Sequence, residues 1–311
     1  MSPSRTPFAR GWYMISWSQD LGPAATLPLR YFGEDYVLYR GESGTPILLD
    51  AHCPHLGAHL GHGGCVEGDD IVCPFHAWRF SAAGRCVDVP YATRIPPKAA
   101  VRAYPVAEHS GMILAYFDDE GVEPAYEVPP IPELEHPGWT GLEKSEITIK
   151  TQPREVIENV ADIAHFSPVH NQKIDVFEMI IDGPRATQRT TGRGGSLDGT
   201  PIPVQSEATY HGPAVQFTRL EWAYDMVLIN THVPIDSNKL ILRFGVILKK
   251  QGGNESREVI LAHVAAARDG YFQDVAIWEH KRWRERPTLV EEDGPIGEIR
   301  KWYRSFFAEA S

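Results

Sequence analysis

The chain has 311 residues, 42% of them hydrophobic and 23% charged, the balance of a water-soluble globular protein long enough for two separately cored domains. Its formal charge of −11 argues against nucleic acid as a partner, because such binding selects basic surfaces. No apolar run reaches the roughly 20 residues of a membrane span, and the opening MSPSRTPFARGW lacks the apolar core of a signal peptide, so the expected location is cytoplasmic.

The first third is punctuated by Gly and Pro and offers short strands over 12–17, 36–40, 46–50, 71–73 and 113–117, the pattern of a small β-sandwich. Between them stand Cys53-Pro54-His55 and Cys73-Pro74-Phe75-His76, each pairing a thiolate with an imidazole, with seventeen residues separating the halves. Two thiolates on one iron and two imidazoles on the other make a Rieske-type [2Fe-2S] cluster, whose potential lies hundreds of millivolts above that of a four-cysteine cluster. Tetrahedral zinc would take the same four side chains. Zinc modules, however, pair Cys with Cys and His with His, whereas each loop here mixes the two.

His52, His59 and His62 crowd the first loop but fall outside the pattern, as neighbours or surface residues rather than ligands. Cys65 and Cys86 read as partly buried free thiols, since a reducing compartment does not sustain a disulfide. Arg79, Arg85, Arg94, Lys98 and Arg102 face a single acid, Asp88, in the stretch after His76. Such a patch is either a solvated charged face or a surface that steers an acidic electron donor.

Residues 119–138 are acidic and proline-rich, so no regular element is expected there, and they read as a linker between domains spanning 1–118 and 139–311. A strand-like 147–150 then leads to a helix expected over 153–166, with Val156, Val160, Ile163 and Ala164 on its inner face and Ser167-Pro168 as its stop. Runs over 186–191, 204–210, 215–222, 226–233, 240–248 and 258–265 suggest one antiparallel sheet of six or more strands. A helical stretch over 269–284, a turn at Asp293-Gly294-Pro295 and a last helix ending near 307 complete the chain.

His165 closes the expected helix and His170 follows its proline stop, so both imidazoles reach one point. Two imidazoles and one carboxylate form the facial triad of non-haem Fe(II) oxygenases, which leaves positions open for O2. A His pair alone is weak evidence; beside a cluster that supplies electrons it becomes strong. Asp274 is chosen as the carboxylate, because an acid next to Ile277 and Trp278 on a helix needs a cation or metal, although composition does not separate it from Asp269 or Glu279. Asp162, three residues before His165 on the same expected helix, is placed to accept an N–H from that ligand and orient its ring.

Together these residues resemble the oxygenase components of Rieske non-haem iron oxygenases over nearly the whole chain. The nearest likeness is to the ketosteroid 9α-hydroxylase and cholesterol 7-desaturase group, carried by Phe8-Ala9-Arg10-Gly11-Trp12, Cys73-Pro74-Phe75-His76 with Trp78, Asp88-Val89-Pro90-Tyr91-Ala92, Gln273-Asp274 with Ile277-Trp278, and Asp293-Gly294-Pro295. The resemblance implies an α+β chain with a Rieske β-sandwich followed by a helix-grip catalytic domain. It implies a head-to-tail homotrimer in which His76 of one subunit meets Asp162 of the next, with Asn159 near the iron.

It further implies a terminal oxygenase that draws electrons from NAD(P)H through a separate ferredoxin-type reductase, with or without a ferredoxin. The reaction implied is monohydroxylation of an alicyclic, steroid-like or polycyclic apolar substrate, with O-demethylation or desaturation as alternatives on the same metal centres. Residues 171–183 depart from the group. Phe177, Met179, Trp222 and Phe244 are candidates for an apolar cavity, with Asn230 as a polar group inside it, although large apolar residues are more often plain core. Two rivals come from other classes: an electron carrier whose second domain only binds a partner, which leaves His165, His170 and Asp274 unexplained, and a colourless zinc-stabilised lipid-binding module.

Overall fold

Short apolar runs between Gly and Pro turns fold as eleven strands in the first part of the chain: β1 (Gly11–Trp17), β2 (Thr26–Tyr31), β3 (Glu34–Arg40), β4 (Pro46–Asp50), β5 (Cys65–Glu67), β6 (Asp70–Val72), β7 (Arg79–Phe80), β8 (Cys86–Asp88), β9 (Ala103–Tyr104), β10 (Val106–His109) and β11 (Met112–Phe117). They form three sheets, ordered β1-β11-β10, β2-β3-β4-β9 and β5-β6-β7-β8. Several were invisible to pattern reading because they are only two to four residues long. Pro28 masks β2, which tolerates a missing N–H because it is an edge strand.

The structure, a computed structural model, describes residues 8–252 and 256–307. Residues 13–125 make one compact unit, while those from Tyr126 onward, joined by residues 8–12, make the other. The N-terminal residues join the second unit through Arg10 N–H to Phe306 O (2.7 Å) and the Trp12 indole N–H to Tyr126 O (2.7 Å). The stretch read as a linker is thereby divided between the units, and it holds a 3₁₀ turn at Pro132–Glu135, with the proline in its opening turn. The first unit buries Val37, Leu49, Leu60, Ile71 and Phe80 against Cys53, Cys73 and Trp78. Each large apolar side chain so buried contributes about 1.5–3 kcal/mol, which fixes the two metal loops to a rigid floor.

The second unit is built on a seven-stranded antiparallel sheet of β12 (Glu143–Ile149), β13 (Lys173–Asp182), β14 (Arg185–Gly195), β15 (Pro201–His211), β16 (Val215–Glu221), β17 (Asp225–Pro234) and β18 (Leu240–Leu248), in the order β12-β18-β17-β16-β15-β14-β13. Helices α1 (Pro153–Glu158), α2 (Phe166–His170), α3 (Arg257–Phe272), α4 (Val275–Trp278) and α5 (Ile296–Arg304) accompany it. Ile260, Val264, Ala267 and Tyr271 of α3 pack on Met226, Leu228, Phe244 and Val246 of the sheet. Ile299 and Trp302 of α5 pack on Ile157, Val160 and Ala186.

Three expectations fail here. Residues 258–265 are helix rather than strand: the Ser256 side chain caps α3 by accepting the Val259 N–H at 3.3 Å, and Ile260, Val264, Ala267 and Tyr271 recur at helical spacing against the sheet while Val259 and Leu261 stay exposed. The helix expected over 153–166 stops at Glu158, continues as a 3₁₀ turn through Ala161 and becomes extended at Asp162 (φ −85°, ψ 104°). Ile163 N–H donates to Asp293 O at 2.9 Å instead of back along the helix. Ser167-Pro168 is therefore no stop but lies inside α2, in the first turn, where proline fits. Helix also fails to fill 269–284: α3 ends at Phe272 and α4 at Trp278, and the last helix ends at Arg304.

Candidate metal centres

The two Cys-His loops of the first unit repeat one backbone design. Cys53 O accepts from Gly57 N and Cys53 N donates to Ala58 O; Cys73 O accepts from Ala77 N and Cys73 N donates to Trp78 O, all at 2.8–3.0 Å. Each turn closes through a left-handed residue, Gly57 at φ 79° and Ala77 at φ 56°. His55 stands two residues after its cysteine and His76 three, so the second imidazole occupies the next place along the turn. The thiols are buried, and the rings, half-buried, lie 4.6 Å apart by centroid.

His55 stacks on Trp78 at 4.7 Å and 7°, and the Trp78 indole N–H donates to Tyr91 Oη at 2.8 Å. His55 Nδ1 is buried with no hydrogen-bond partner among the described residues, the condition of a nitrogen whose lone pair serves a metal. Burial, with the Cys73 thiol adjacent, pushes the Cys53 thiol up to about 11, so a metal there displaces a firmly held proton. The donor set and the orphaned nitrogen fit a [2Fe-2S] cluster of the Rieske kind.

Of the other histidines of this region, His62 is exposed with its ring 4.4 Å from that of His59, and the remaining two are hydrogen-bonded elsewhere. His52 contacts Gly57 O and Asp35, and His59 Nδ1 accepts from Gly61 N. Cys86 is buried with its thiol towards Asp88 O, but Cys65 is exposed rather than partly buried, because strand β5 turns it outward.

In the second unit His165, His170 and Asp274 come together, their ligand atoms all within 4.8 Å of one another. His165 stands immediately before α2 and His170 ends it, so a five-residue helix sets the rings 5.1 Å apart at 81°. Asp274, 4% exposed, stands immediately before α4 and places Oδ2 at 3.4 Å from His170 Nε2. The amide of Asn159 donates to Asp274 Oδ2 at 3.1 Å and lies 3.3 Å from His165 Nε2.

The rivals to Asp274 are occupied elsewhere: Asp269 pairs with Arg268, and Glu279 accepts from Lys150 N. Burial alone would lower His170, but contact with Asp274 overcomes it and raises the ring above its ordinary value. Both rings have Nδ1 anchored outward and Nε2 turned inward, and a carboxylate completes the set; this fits a divalent iron.

Asp162 does not share a helix with His165, and its roles divide between two atoms. The His165 ring Nδ1–H donates to the main-chain carbonyl of Asp162 at 2.6 Å, while the carboxylate accepts the backbone N–H of His165 at 3.2 Å and stays 3.8 Å from the ring. Burial opposes ionisation of Asp162, yet the contacts with His165 prevail and lower its pKa.

A cavity of about 510 Å³ opens on this cluster, with His165, His170, Asn159 and Asp274 in its wall. Trp222 and Asn230 line it. Phe177, Met179 and Phe244 do not. Phe244 points to the same side as its cross-strand partner Asn230, but Tyr271 of α3 stacks over it at 5.7 Å and takes its place on the wall. Met179 packs against the cluster around Ile157 and Trp302, and Phe177 sits on the edge strand β13 away from the wall. Gln188, Gln216 and Thr218 line the cavity unforeseen; their signal was buried polar residues at alternating strand positions.

Residues 11–105 match the family described as Rieske [2Fe-2S] domain, which places the chain in the class of Rieske proteins. Residues 115–307 match the family described as 3-Ketosteroid 9alpha-hydroxylase C-terminal domain, more than half of the chain, and the chain belongs to that family of oxygenase components. It is 36% identical to a 3-ketosteroid-9-alpha-monooxygenase oxygenase component of Rhodococcus rhodochrous, over 99% of this chain and 85% of the relative. It is 35% identical to the protein so named from Mycobacterium tuberculosis, over 98% and 83%, and 29% identical to cholesterol 7-desaturase nvd 1 of Ciona intestinalis, over 98% and 70%.

Among solved structures, dicamba monooxygenase bound to dicamba superposes with a TM-score of 0.78 at 18% identity, covering 97% of this chain and 98% of that one, a likeness of fold. The chain is thus an enzyme, the monooxygenase component of a Rieske system. No helix among its described residues is long and apolar enough to cross a membrane.

Proposed function

We propose that this chain is a terminal oxygenase that monohydroxylates a steroid-like, alicyclic or polycyclic apolar substrate at iron held by His165, His170 and Asp274, with Cys53, His55, Cys73 and His76 holding the cluster. One observation carries the reading: the carboxylate and both imidazoles form part of the wall of a single cavity whose other sides include Val156, Phe166, Leu220, Trp222 and Leu228. When bound, the cluster supplies single electrons and the mononuclear iron activates O2.

The apolar side chains bind the ring system and exclude water from the metal face. The polar group at Asn230, with its Nδ2 fixed to Gln216 Oε1 at 3.0 Å, sets which way round the substrate lies. The Asp162 carbonyl and Gln273 hold the two imidazole rings, and Asn159 steadies the carboxylate.

Electrons reach the chain from NAD(P)H through a ferredoxin-type reductase, in the cytoplasm. In a head-to-tail homotrimer His76 of one subunit meets Asp162 of the next and shortens the electron's path. The test is a substrate screen with a surrogate reductase against steroids, terpenoids and methoxy-aromatics, scored for oxygenated product. Hydroxylated steroid is the expected outcome, and turnover of methoxy-aromatics alone would overturn the substrate class. Sedimentation tests the trimer. The likeness to a cholesterol 7-desaturase favours one further reading, desaturation at the same iron, and the same screen distinguishes it by loss of two hydrogens without gain of oxygen.

A further inference from the structure

We propose that Gln273 is a positioning residue for the mononuclear metal, selecting the tautomer and rotation of His170; this rests on the reading of His165, His170 and Asp274 as iron ligands. Gln273 Oε1 lies 3.0 Å from His170 Nδ1. An amide oxygen only accepts, so when Nε2, the atom turned to Asp274 Oδ2 at 3.4 Å, gives its lone pair to a metal, the proton of the neutral ring sits on Nδ1 and is held by Gln273.

The two imidazoles solve the same problem by different means. His165 gives its Nδ1–H to a main-chain carbonyl, which no substitution removes, whereas His170 depends on a side chain. Gln273 is itself held in place: its N–H donates to Asp269 O at 3.0 Å at the end of α3, and the next residue is Asp274. One backbone junction between α3 and α4 therefore carries a ligand and the anchor of another ligand. A neutral amide here also leaves the set with one negative charge from Asp274, where a carboxylate would add a second.

The experiment uses the cluster-loaded protein, equilibrated with Fe(II) against a competing chelator, with mononuclear occupancy read from the EPR signal of its nitric oxide adduct. Gln273→Leu removes the acceptor and is expected to weaken Fe(II) binding about 10- to 100-fold and to broaden that signal, with the visible absorption of the cluster unchanged. Gln273→Glu keeps an acceptor oxygen and is expected to bind within about threefold of the parent, since the hydrogen bond that fixes the ring survives. Parental affinity and signal shape in Gln273→Leu would overturn the inference, as would equal losses in both variants, which would mean general packing. Failure of the parent protein itself to take up mononuclear iron would instead bring down the ligand assignment, and the inference with it.

Discussion

Because the main-chain carbonyl of Asp162 anchors the His165 ring and the carboxylate only accepts a backbone N–H, truncating the side chain leaves the ring's anchor in place. Asp162→Ala is accordingly expected to keep both metals, by iron analysis, yet to lower turnover about 10- to 100-fold, because in the proposed head-to-tail trimer it removes the carboxylate that would meet His76 of the next subunit. Near-normal turnover would contradict that role. His165→Ala is expected to lose the mononuclear iron alone; bleaching of the cluster instead would show the sites misassigned. His232 offers a different handle. It is fully buried on β17, Nε2 has no partner among the described residues, and burial lowers its pKa from 6.5 to about 3. The unfolded chain thus takes up the proton first on acidification, so this contribution to stability is full above pH 6.5 and is lost as pH falls from there towards 3. In His232→Leu the thermal midpoint should fall less steeply over that range, and an unchanged slope would exclude His232 as the cause.

At the level of elements, the break after α1 is what brings His165 to its place, and the 291–294 turn holds that break open. Gly294 has φ 102°, and a Cβ there would meet Ala161 O at 2.2 Å and Ile163 Cγ1 at 2.9 Å. Gly294→Ala is expected to cost about 1–3 kcal/mol in chemical denaturation and to deplete the mononuclear iron while sparing the cluster. The sequence displayed the turn at Asp293-Gly294-Pro295 but not its partner, because an N–H from Ile163 to Asp293 O joins segments 130 residues apart. Local patterns were legible for a related reason. The Cys-His loops carry their ligands within a few residues, and the sheet strands are either alternating runs or, as in β17 and β18, near-continuous runs rich in Val, Ile and Leu. Residues 258–265 misled because Val259, Ile260, Leu261 and Val264 are β-branched or apolar in close succession, while the deciding feature, the Ser256 cap, is a single hydroxyl. Cavity lining was the least legible, since whether Phe244 or Tyr271 faces the space depends on how α3 lies across the sheet.

For the molecule as a whole, charge is distributed against its net sign. In a chain of −11, Arg85, Arg94 and Lys98 are exposed and form no ion pair among the described residues, whereas Arg79 engages Glu67 and Asp70 and Arg102 donates to Asp118 O. They share their stretch with exposed Val87, Tyr91 and Ile95, and Tyr91 lies against His76 at 6.5 Å. An acidic electron donor fits this surface. Raising ionic strength should slow reduction of the cluster, and the triple change Arg85→Glu, Arg94→Glu and Lys98→Glu should slow it about tenfold in stopped flow while leaving the KM for substrate unchanged. An unaltered salt dependence in the triple variant would remove the patch from the docking surface. The spacing of the ligands along the chain also bears on how the protein matures. Cys53 to His76 is a short loop closed by hairpins, but His165 and Asp274 are joined only after β13 to β18 have paired and α3 has crossed them. Closing that several-fold longer loop costs roughly 1–1.5 kcal/mol more in chain entropy. The cluster site should therefore become competent early in folding and the iron site late, so that a nascent chain acquires its means of receiving electrons before it acquires anything to spend them on.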